Sequence, residues 1–241
     1  MAEPLLRLDG VHTHIGQYHI LQGVDLTVPQ GELTMLLGRN GAGKTTTLRT
    51  IMGLWRASTG TLHFADTGLN ALATPDIARL GIGYVPENMG VFAGLTVREN
   101  MVLAARDGAI DQARLDWIFS LFPALTRFWT LPAGNLSGGQ KQMLSIARAM
   151  IEPRRLILID EPSKGLAPAI VDALIEAMRE LKRTATTIVM VEQNFRMAQA
   201  LGDSVAVMDD GRVIHSGRMS DLAADPALQA RLLGLSLGVH Q

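Results

Sequence analysis

The segment at residues 38–45 has the glycine, lysine and threonine spacing of a loop that holds phosphate groups. It reads GRNGAGKT, and its glycines let the backbone curl so that successive N–H groups point at phosphate oxygens. Lys44 brings a positive charge to the β- and γ-phosphates, and the Thr45 hydroxyl suits Mg²⁺. The segment predicts a nucleoside triphosphate site with Mg²⁺. Its candidate binding residues are Gly38, Arg39, Asn40, Gly41, Ala42, Gly43, Lys44, Thr45 and Thr46.

Two adjacent acids follow a run of apolar residues in the segment LILIDEP, residues 156–162. Four consecutive apolar residues are typical of a strand that is covered on both faces. Asp160 at the end of such a strand is expected to hold Mg²⁺, and Glu161 is expected to polarise an attacking water. Taken alone, such a pair is more often a plain strand end with solvated acids. The phosphate loop earlier in the chain favours the catalytic interpretation.

The segment LSGGQ, residues 136–140, predicts the start of a helix. Apolar residues then recur at i, i+3, i+4 and i+7, which gives the helix one buried face. Such a helix would direct the Ser137 hydroxyl and the N–H groups of Gly138 and Gly139 at a γ-phosphate, with Gln140 beside them. A simple helix cap is the alternative interpretation, because serine followed by two glycines caps a helix without any ligand.

Strands that alternate with helices are expected to position these three segments in a mostly parallel sheet. Helices are predicted over 45–54, from 137 and from 168, with a short helical pair over 219–236. A hairpin is predicted around Asp209-Asp210-Gly211. The predicted strands lie at 24–28, 33–37, 60–65, 80–86, 156–159, 188–191, 205–208 and 213–215.

The composition is that of an ordinary globular protein and excludes several classes of function. The chain has 241 residues, of which 47% are hydrophobic and 19% are charged, and its net charge is −1. It therefore lacks the basic field that attracts nucleic acid. There is no cysteine, which excludes disulfides and thiolate metal sites. We expect a protein that is soluble by itself and that needs a partner to hold it at any membrane.

The order and spacing of the three segments resemble the nucleotide-binding subunits of ABC transporters, over about residues 5–236. Ser137 lies 23 positions before Asp160, which is the spacing that such subunits show. The resemblance implies an α/β fold, with a RecA-like P-loop NTPase core, an antiparallel β portion and a helical insertion at about 88–150. It implies one ABC ATPase cassette over residues 1–241.

Four further segments resemble the group of these subunits that imports branched-chain amino acids. They are SKGLAP at 163–168, YVPE at 84–87, VFAGLTVREN at 91–100 and VEQN at 191–194. The chain is similar to the shorter of the two ATPases in those machines. Importers of urea or short amides are the alternative within the group. A cassette that binds ATP with little turnover, as a regulator, is the alternative from another class.

The resemblance also implies partners and a location. ATP and Mg²⁺ would be sandwiched in a head-to-tail dimer, with Ser137 of one protomer facing the γ-phosphate on the other. Two transmembrane permease subunits would bind the dimer, a periplasmic substrate-binding protein would act indirectly, and no nucleic acid is expected. The chain would lie at the cytoplasmic face of the bacterial inner membrane. Both a homodimer and a heterodimer with a second ATPase remain open.

Three positions depart from the general pattern of the family. Glu87 stands where most members have glutamine; it can bind Mg²⁺ but adds negative charge beside the triphosphate. Gln193 replaces the usual histidine, and its amide donates a hydrogen bond but stays neutral. Ile15 stands where an aromatic ring usually stacks on adenine, and Tyr18 is the alternative for that contact. We therefore expect slow but real hydrolysis.

Two other groups of residues lie outside the nucleotide-binding segments. His12 and His14 are expected to share one face of a strand, with His19 on the other, and no acidic partner completes a metal site with them. Phe92 and Leu95 follow Glu87 in the region that would receive a helix of the membrane subunit. For these two residues, burial in the core and contact with that subunit are equally expected.

Overall fold

The computed structural model describes residues 4–234, and within them ten strands form two sheets. The strands are β1 (Pro4–Ile15), β2 (Tyr18–Pro29), β3 (Leu33–Gly38), β4 (Ala57–Phe64), β5 (Thr67–Gly68), β6 (Ile82–Val85), β7 (Leu156–Asp160), β8 (Thr187–Val191), β9 (Ser204–Asp209) and β10 (Arg212–Arg218). A four-stranded antiparallel sheet has the order β2-β1-β4-β5. A six-stranded sheet has the order β10-β9-β3-β8-β7-β6 and is parallel except for β10.

Helices connect the parallel strands and fill the middle of the chain. They are α1 (Lys44–Ile51), α2 (Thr74–Arg79), α3 (Val97–Val102), α4 (Gln112–Leu121), α5 (Pro123–Arg127), α6 (Gly138–Met150), α7 (Pro168–Arg183), α8 (Phe195–Leu201), α9 (Met219–Ala224) and α10 (Pro226–Leu233), with a 3₁₀ turn at Ala133–Asn135. The region 88–150 therefore carries α3 to α6. None of the helices in the described part of the chain has the length and apolar character needed to cross a bilayer.

The buried strand β7 shows why the parallel sheet forms where it does. All five of its residues are buried. Because side chains alternate between the faces of a strand, Leu156 and Leu158 pack in the core beneath the antiparallel sheet, whereas Ile157 and Ile159 pack in the core beneath the helices. The uninterrupted apolar run is thus explained by burial on both faces.

Element boundaries differ modestly from the sequence-based expectations. The helix predicted over 45–54 begins at Lys44 and ends at Ile51, and the strand predicted over 60–65 spans Ala57–Phe64. The helical pair predicted over 219–236 is present as α9 and α10, and its last two positions lie outside the described residues. The helix predicted from 137 begins at Gly138, with Ser137 as its cap.

The expected arrangement of the three histidines near the N-terminus is wrong for His19, whose ring stacks with those of both His12 and His14. The rings of His14 and His19 stack with centroids 4.2 Å apart, and His12 Nδ1 lies 2.9 Å from His19 Nε2. The cause is the turn between β1 and β2, because it pairs His14 directly with His19 in the antiparallel register. Directly opposed residues of an antiparallel pair carry their side chains on one face. In the described residues no cluster of histidine and acidic side chains forms a metal site.

The turn between β9 and β10 supports the phosphate loop directly. Gly211 donates its N–H to the Ala42 carbonyl at 3.1 Å, and its own carbonyl accepts from the Gln22 N–H at 2.9 Å. Its φ is +73°, a conformation that glycine adopts without a steric penalty. A Cβ at this position would lie 2.2 Å from the Ile20 carbonyl oxygen. Gly211, the glycine of the predicted hairpin, therefore allows β2 to approach the turn between β9 and β10 closely.

Replacing Gly211 with alanine is expected to lower the free energy of unfolding by about 2 kcal/mol or more, because the new Cβ overlaps backbone atoms. Urea unfolding followed by circular dichroism measures the loss. Gly31→Ala is the matched control, since Gly31 has φ of +76° and no atom within 4 Å of an added Cβ. That control should lose about 1 kcal/mol from backbone strain alone. Equal losses in the two variants would contradict the close approach of β2.

Candidate functional site

The phosphate loop joins β3 to α1, as its sequence predicts. Positive φ angles occur at Gly38, Gly41 and Gly43 (+140°, +83° and +99°), which bend the backbone toward the start of the helix. A cavity of about 340 Å³ opens there. Its lining combines the loop with side chains from other segments: Ile20, Asn40, Gly41, Gly43, Lys44, Thr45, Thr46, Glu87, Glu161 and Lys164. Gly38 and Arg39 instead line a smaller neighbouring cavity.

Lys44 is buried at the base of the loop, with 5% of its surface exposed. Its ammonium donates to the carbonyls of Gly38 and Arg39 at 2.8 and 2.9 Å. Burial lowers the pKa of Lys44, and the nearby carboxylates of Glu161 and Asp160 oppose that change. A partly desolvated cation with only carbonyl acceptors is well placed to bind an anion.

Asp160 and Thr45, the two residues expected to bind Mg²⁺, contact each other. The Thr45 hydroxyl donates to Asp160 Oδ1 at 3.0 Å, and the Tyr84 hydroxyl reaches Asp160 Oδ2 at 3.4 Å. Asp160 is fully buried, and burial is the main cause that raises its pKa to about 6. A hydroxyl and a carboxylate are the oxygen ligands that Mg²⁺ takes alongside phosphate oxygens. These two residues therefore fit the ion.

Glu161 and Gln193 are brought together from different strands. The Gln193 Nε2 group donates to Glu161 Oε1 at 2.5 Å, and the Glu161 N–H donates to the Val191 carbonyl at 2.9 Å. Glu161 has φ of +48°, which is strained for a residue other than glycine. From this tight turn, Glu161 contributes to the wall of the phosphate cavity.

Lys164 is a residue of this site that the sequence analysis missed. Its ammonium lies 2.6 Å from Glu87 Oε1 and 3.5 Å from Glu161 Oε2. Hydrogen bonding to Glu87 raises the pKa of Lys164. The extra negative charge that Glu87 introduces is therefore balanced by a cation from another segment. Lys164 lies in the segment SKGLAP, which was singled out for its resemblance alone and not for the charge of this residue.

The segment 137–140 lies apart from this cavity in the described chain. Ser137 and Gly138 are exposed, and neither is among the lining residues. Ser137 Oγ accepts from the Gln140 N–H, and Gln140 Oε1 accepts from the Ser137 N–H at 2.9 Å. Gly139 is buried, since a Cβ there would lie 2.8 Å from Ile170 of α7. The cap thus leaves the Ser137 end of α6 open to solvent.

Ile15 and Tyr18 face each other across the turn between β1 and β2. They are direct partners in the register of that hairpin, so their side chains share one face. Tyr18 is 65% exposed, and Ile20, two residues later, lines the phosphate cavity. The position suits contact with a base beyond the phosphates and leaves both residues as candidates for it.

Asp160→Asn is expected to stabilise the chain in the absence of nucleotide and Mg²⁺. The folded pKa of Asp160 is raised from 3.8 to about 6, so the charged carboxylate costs stability once the pH rises through that interval. The free energy of unfolding of the variant should exceed that of the native chain by about 2 to 3 kcal/mol at pH 7.5. This difference should shrink as the pH falls toward 4. Urea unfolding at several pH values, with a chelator present, measures it.

Asp172→Asn provides the control, because Asp172 pairs with Arg196 at the surface. It should change stability by less than about 1 kcal/mol at either pH. An Asp160→Asn chain that is less stable than the native chain at pH 7.5 would show that the buried carboxylate carries no such cost.

Comparisons with family models, with curated proteins and with solved structures all identify the same family. A family model described as ABC transporter matches residues 21–164. The high-affinity branched-chain amino acid transport ATP-binding protein BraG of Pseudomonas aeruginosa is 37% identical over 95% of this chain and 100% of its own length. A solved ATP-binding subunit of an ABC transporter is 31% identical, with a TM-score of 0.80 over 97% of this chain and 96% of that one.

A second solved structure is the bacterial ABC transporter cassette MJ0796 in a dimeric form. It is 25% identical, with a TM-score of 0.80 over 89% of this chain and 98% of that one. The shared fold and the family match over more than half of the 241 residues agree with the geometry of the phosphate loop. The chain therefore belongs to the ABC transporter family, as one of its ATP-binding cassettes.

Proposed function

We propose that this chain is the ATP-hydrolysing subunit of an ABC importer for branched-chain or other hydrophobic amino acids. The observation that carries the catalytic part is the hydrogen bond from Gln193 to Glu161, which lines the phosphate cavity. The cargo is inferred from similarity to BraG, whose name states branched-chain amino acid transport. We take residues 1–241 as one nucleotide-binding cassette with its helical insertion at about 88–150.

ATP would bind with its phosphates at residues 38–46 and its base near Tyr18 or Ile15. The N–H groups of the loop and the start of α1 donate to the phosphates, and the Lys44 ammonium contacts the β- and γ-phosphates. Mg²⁺ bound with ATP would neutralise part of the phosphate charge, held by Thr45 and Asp160 with Glu87 nearby. Lys164 holds the Glu87 carboxylate in place.

Glu161 would orient the attacking water and accept its proton. Gln193 supports this role in two ways: its amide holds the carboxylate in position, and the amide can also donate to the γ-phosphate. Because glutamine stays neutral, it stabilises the developing charge less than a protonated histidine would. The expected result is slow hydrolysis rather than none.

A second ATPase chain would complete the site in a head-to-tail dimer. Ser137 and Gly138 are exposed at the start of α6, where the hydroxyl and N–H groups can bind a γ-phosphate held by another chain. Their place outside the phosphate cavity of their own chain supports this arrangement. The dimeric form of the related cassette MJ0796 supports it independently.

A groove of about 350 Å³ between the sheet edge and α6 suits the two transmembrane permease subunits. Its lining includes Tyr84, Met89, Arg148 and Arg154. The Nε atoms of both arginines are buried and have no acceptor among the described residues, and burial lowers the pKa of both side chains. The groove therefore carries two cationic side chains in its wall, and a partner segment with carboxylate or carbonyl groups would suit them.

Phe92 is 51% exposed and packs beneath the guanidinium of Arg148, which lines this groove. Leu95 is half-buried. We therefore assign the contact with the membrane subunits to Phe92. This docking would hold the chain at the cytoplasmic face of the bacterial inner membrane, while a periplasmic substrate-binding protein acts only through the membrane subunits.

The competing function is a regulatory cassette that binds ATP with little turnover, and Gln193 is the observation that favours it. An importer for urea or short amides remains the alternative within the same mechanism. The residues of this chain do not contact cargo in either case.

Glu161→Gln is expected to lower kcat for Mg-ATP by about 100-fold or more, because an amide cannot accept the proton of the attacking water. ATP affinity should change by less than about threefold, since the side chain keeps its shape. Phosphate release and equilibrium nucleotide binding measure the two quantities. Glu176→Gln, at an exposed surface ion pair, is the matched control and should keep native turnover.

Native turnover in the Glu161→Gln chain would show that Glu161 is not the base that accepts the proton of the attacking water. A native chain that binds ATP without turnover, but gains activity as Gln193→His, would instead support the regulatory function.

Phe92→Asp is expected to abolish association with detergent-solubilised permease subunits while leaving the ATPase rate of the isolated chain within about twofold. Ile214→Asp is the control, because Ile214 is also about half exposed but lies on β10, at the opposite edge of the sheet. Co-purification of tagged permease subunits with each variant measures the effect. Equal association of the two variants would exclude the groove as the docking surface.

A further inference from the structure

Glu192 is a buried acid that the proposed mechanism does not use. Only 2% of its surface is exposed, yet it lies between Val191, at the end of β8, and Gln193. A buried carboxylate is costly unless hydrogen bonds satisfy its oxygens. Burial raises the pKa of Glu192, and the hydrogen bonds from Ser163, Gln193 and Asn194 oppose that change. Its retention at this position needs an explanation.

Four donors converge on the Glu192 carboxylate, and they come from two loops. The Ser163 N–H donates to Oε1 at 2.9 Å, and the Ser163 hydroxyl donates to Oε2 at 2.9 Å. The N–H groups of Gln193 and Asn194 donate to Oε2, each at 3.0 Å. One side chain therefore joins the loop that follows Glu161 to the loop that carries Gln193.

The contact of Glu161 with Gln193 depends on both of those loops. Ser163 follows Glu161 by two residues, so its bonds to Glu192 limit how far the Glu161 turn can move. The bond from the Gln193 N–H fixes the backbone from which the Gln193 amide reaches Glu161. The Glu161 turn also has the strained φ of +48°, so it needs such support to persist.

We propose that Glu192 is a positioning residue for hydrolysis, which clamps the Glu161 turn to the Gln193 loop so that the carboxylate and the amide face the γ-phosphate together. This inference rests on the proposed ATPase function and adds to it a buried residue that does not line the phosphate cavity. The chemistry requires a carboxylate, because both oxygens must accept and all four partners donate.

Glu192→Gln tests the clamp with a side chain of equal size. Its amide NH₂ must face at least one N–H donor in either orientation, so the carboxamide cannot satisfy the site. We expect kcat per folded molecule to fall by about 10-fold or more, with the ATP dissociation constant within about twofold. Hydrogen exchange in the ATP-bound state should become faster over residues 161–166.

Two further variants separate positioning from general loss of stability. Thr34→Val is the matched control, because it removes a different buried hydrogen bond, the one between Thr34 Oγ1 and Ser204 Oγ at 2.9 Å. This variant should lower the free energy of unfolding without lowering kcat. Ser163→Ala removes one of the four bonds and should lower kcat less than Glu192→Gln does. The double variant should match Glu192→Gln within about twofold, since the two residues act through one contact.

The failure of this inference can be told from the failure of the proposed function. If Glu161→Gln abolishes turnover but Glu192→Gln only lowers stability, the clamp is wrong and the ATPase mechanism stands. If Glu192→Gln lowered ATP affinity rather than kcat, that result would also overturn the clamp. If the native chain shows no turnover, the proposed function fails, and unchanged hydrogen exchange over 161–166 in Glu192→Gln would then overturn the clamp by itself.

Discussion

The parallel register of β3, β8 and β7 is the constraint on which the rest of the site depends. Leu36 of β3 and Asp160 of β7 both pair with Val191 of β8, so the three strands end side by side. Each carboxyl end then continues into a functional loop, with the phosphate loop after β3, Glu161 after β7 and Gln193 after β8. This edge is where ligands bind in open parallel sheets. A shift of one residue in the register would separate Glu161 from Gln193.

Charge balance accounts for two of the three residues that depart from the general pattern of the family, Glu87 and Gln193. Glu87, Asp160 and Glu161 are three acids near one cavity, and Lys44 and Lys164 are the cations placed among them. Burial raises the pKa of Asp160, so its charged form is costly until a cation binds there, as expected of a site for a cation that arrives with its ligand. Gln193 adds a donor without adding charge, and its position depends on neighbouring bonds rather than on ionic attraction.

Local features of the site could be predicted from the sequence, whereas long-range pairings could not. The glycines of the phosphate loop, the cap at Ser137 and the buried run of β7 depend on neighbouring residues, and the structure has them close to the predicted positions. Lys164 reaches Glu87 across 77 positions, and Glu192 reaches Ser163 across 29. No local pattern indicates such contacts, because the fold alone brings those loops together. The stacking of His14 on His19 escaped prediction for the same reason, since it depends on how β1 and β2 pair.

The central claim is that the loop at 38–46 recognises the phosphates of ATP. Calorimetric titration of the purified chain with Mg-ATP and with AMP, repeated on Lys44→Ala, tests it most directly. We predict that AMP binds at least about 100-fold more weakly than ATP, and that Lys44→Ala loses about 10-fold or more of the ATP affinity with no change for AMP. Equal affinity for AMP and ATP, or ATP binding that does not depend on Lys44, would contradict the claim.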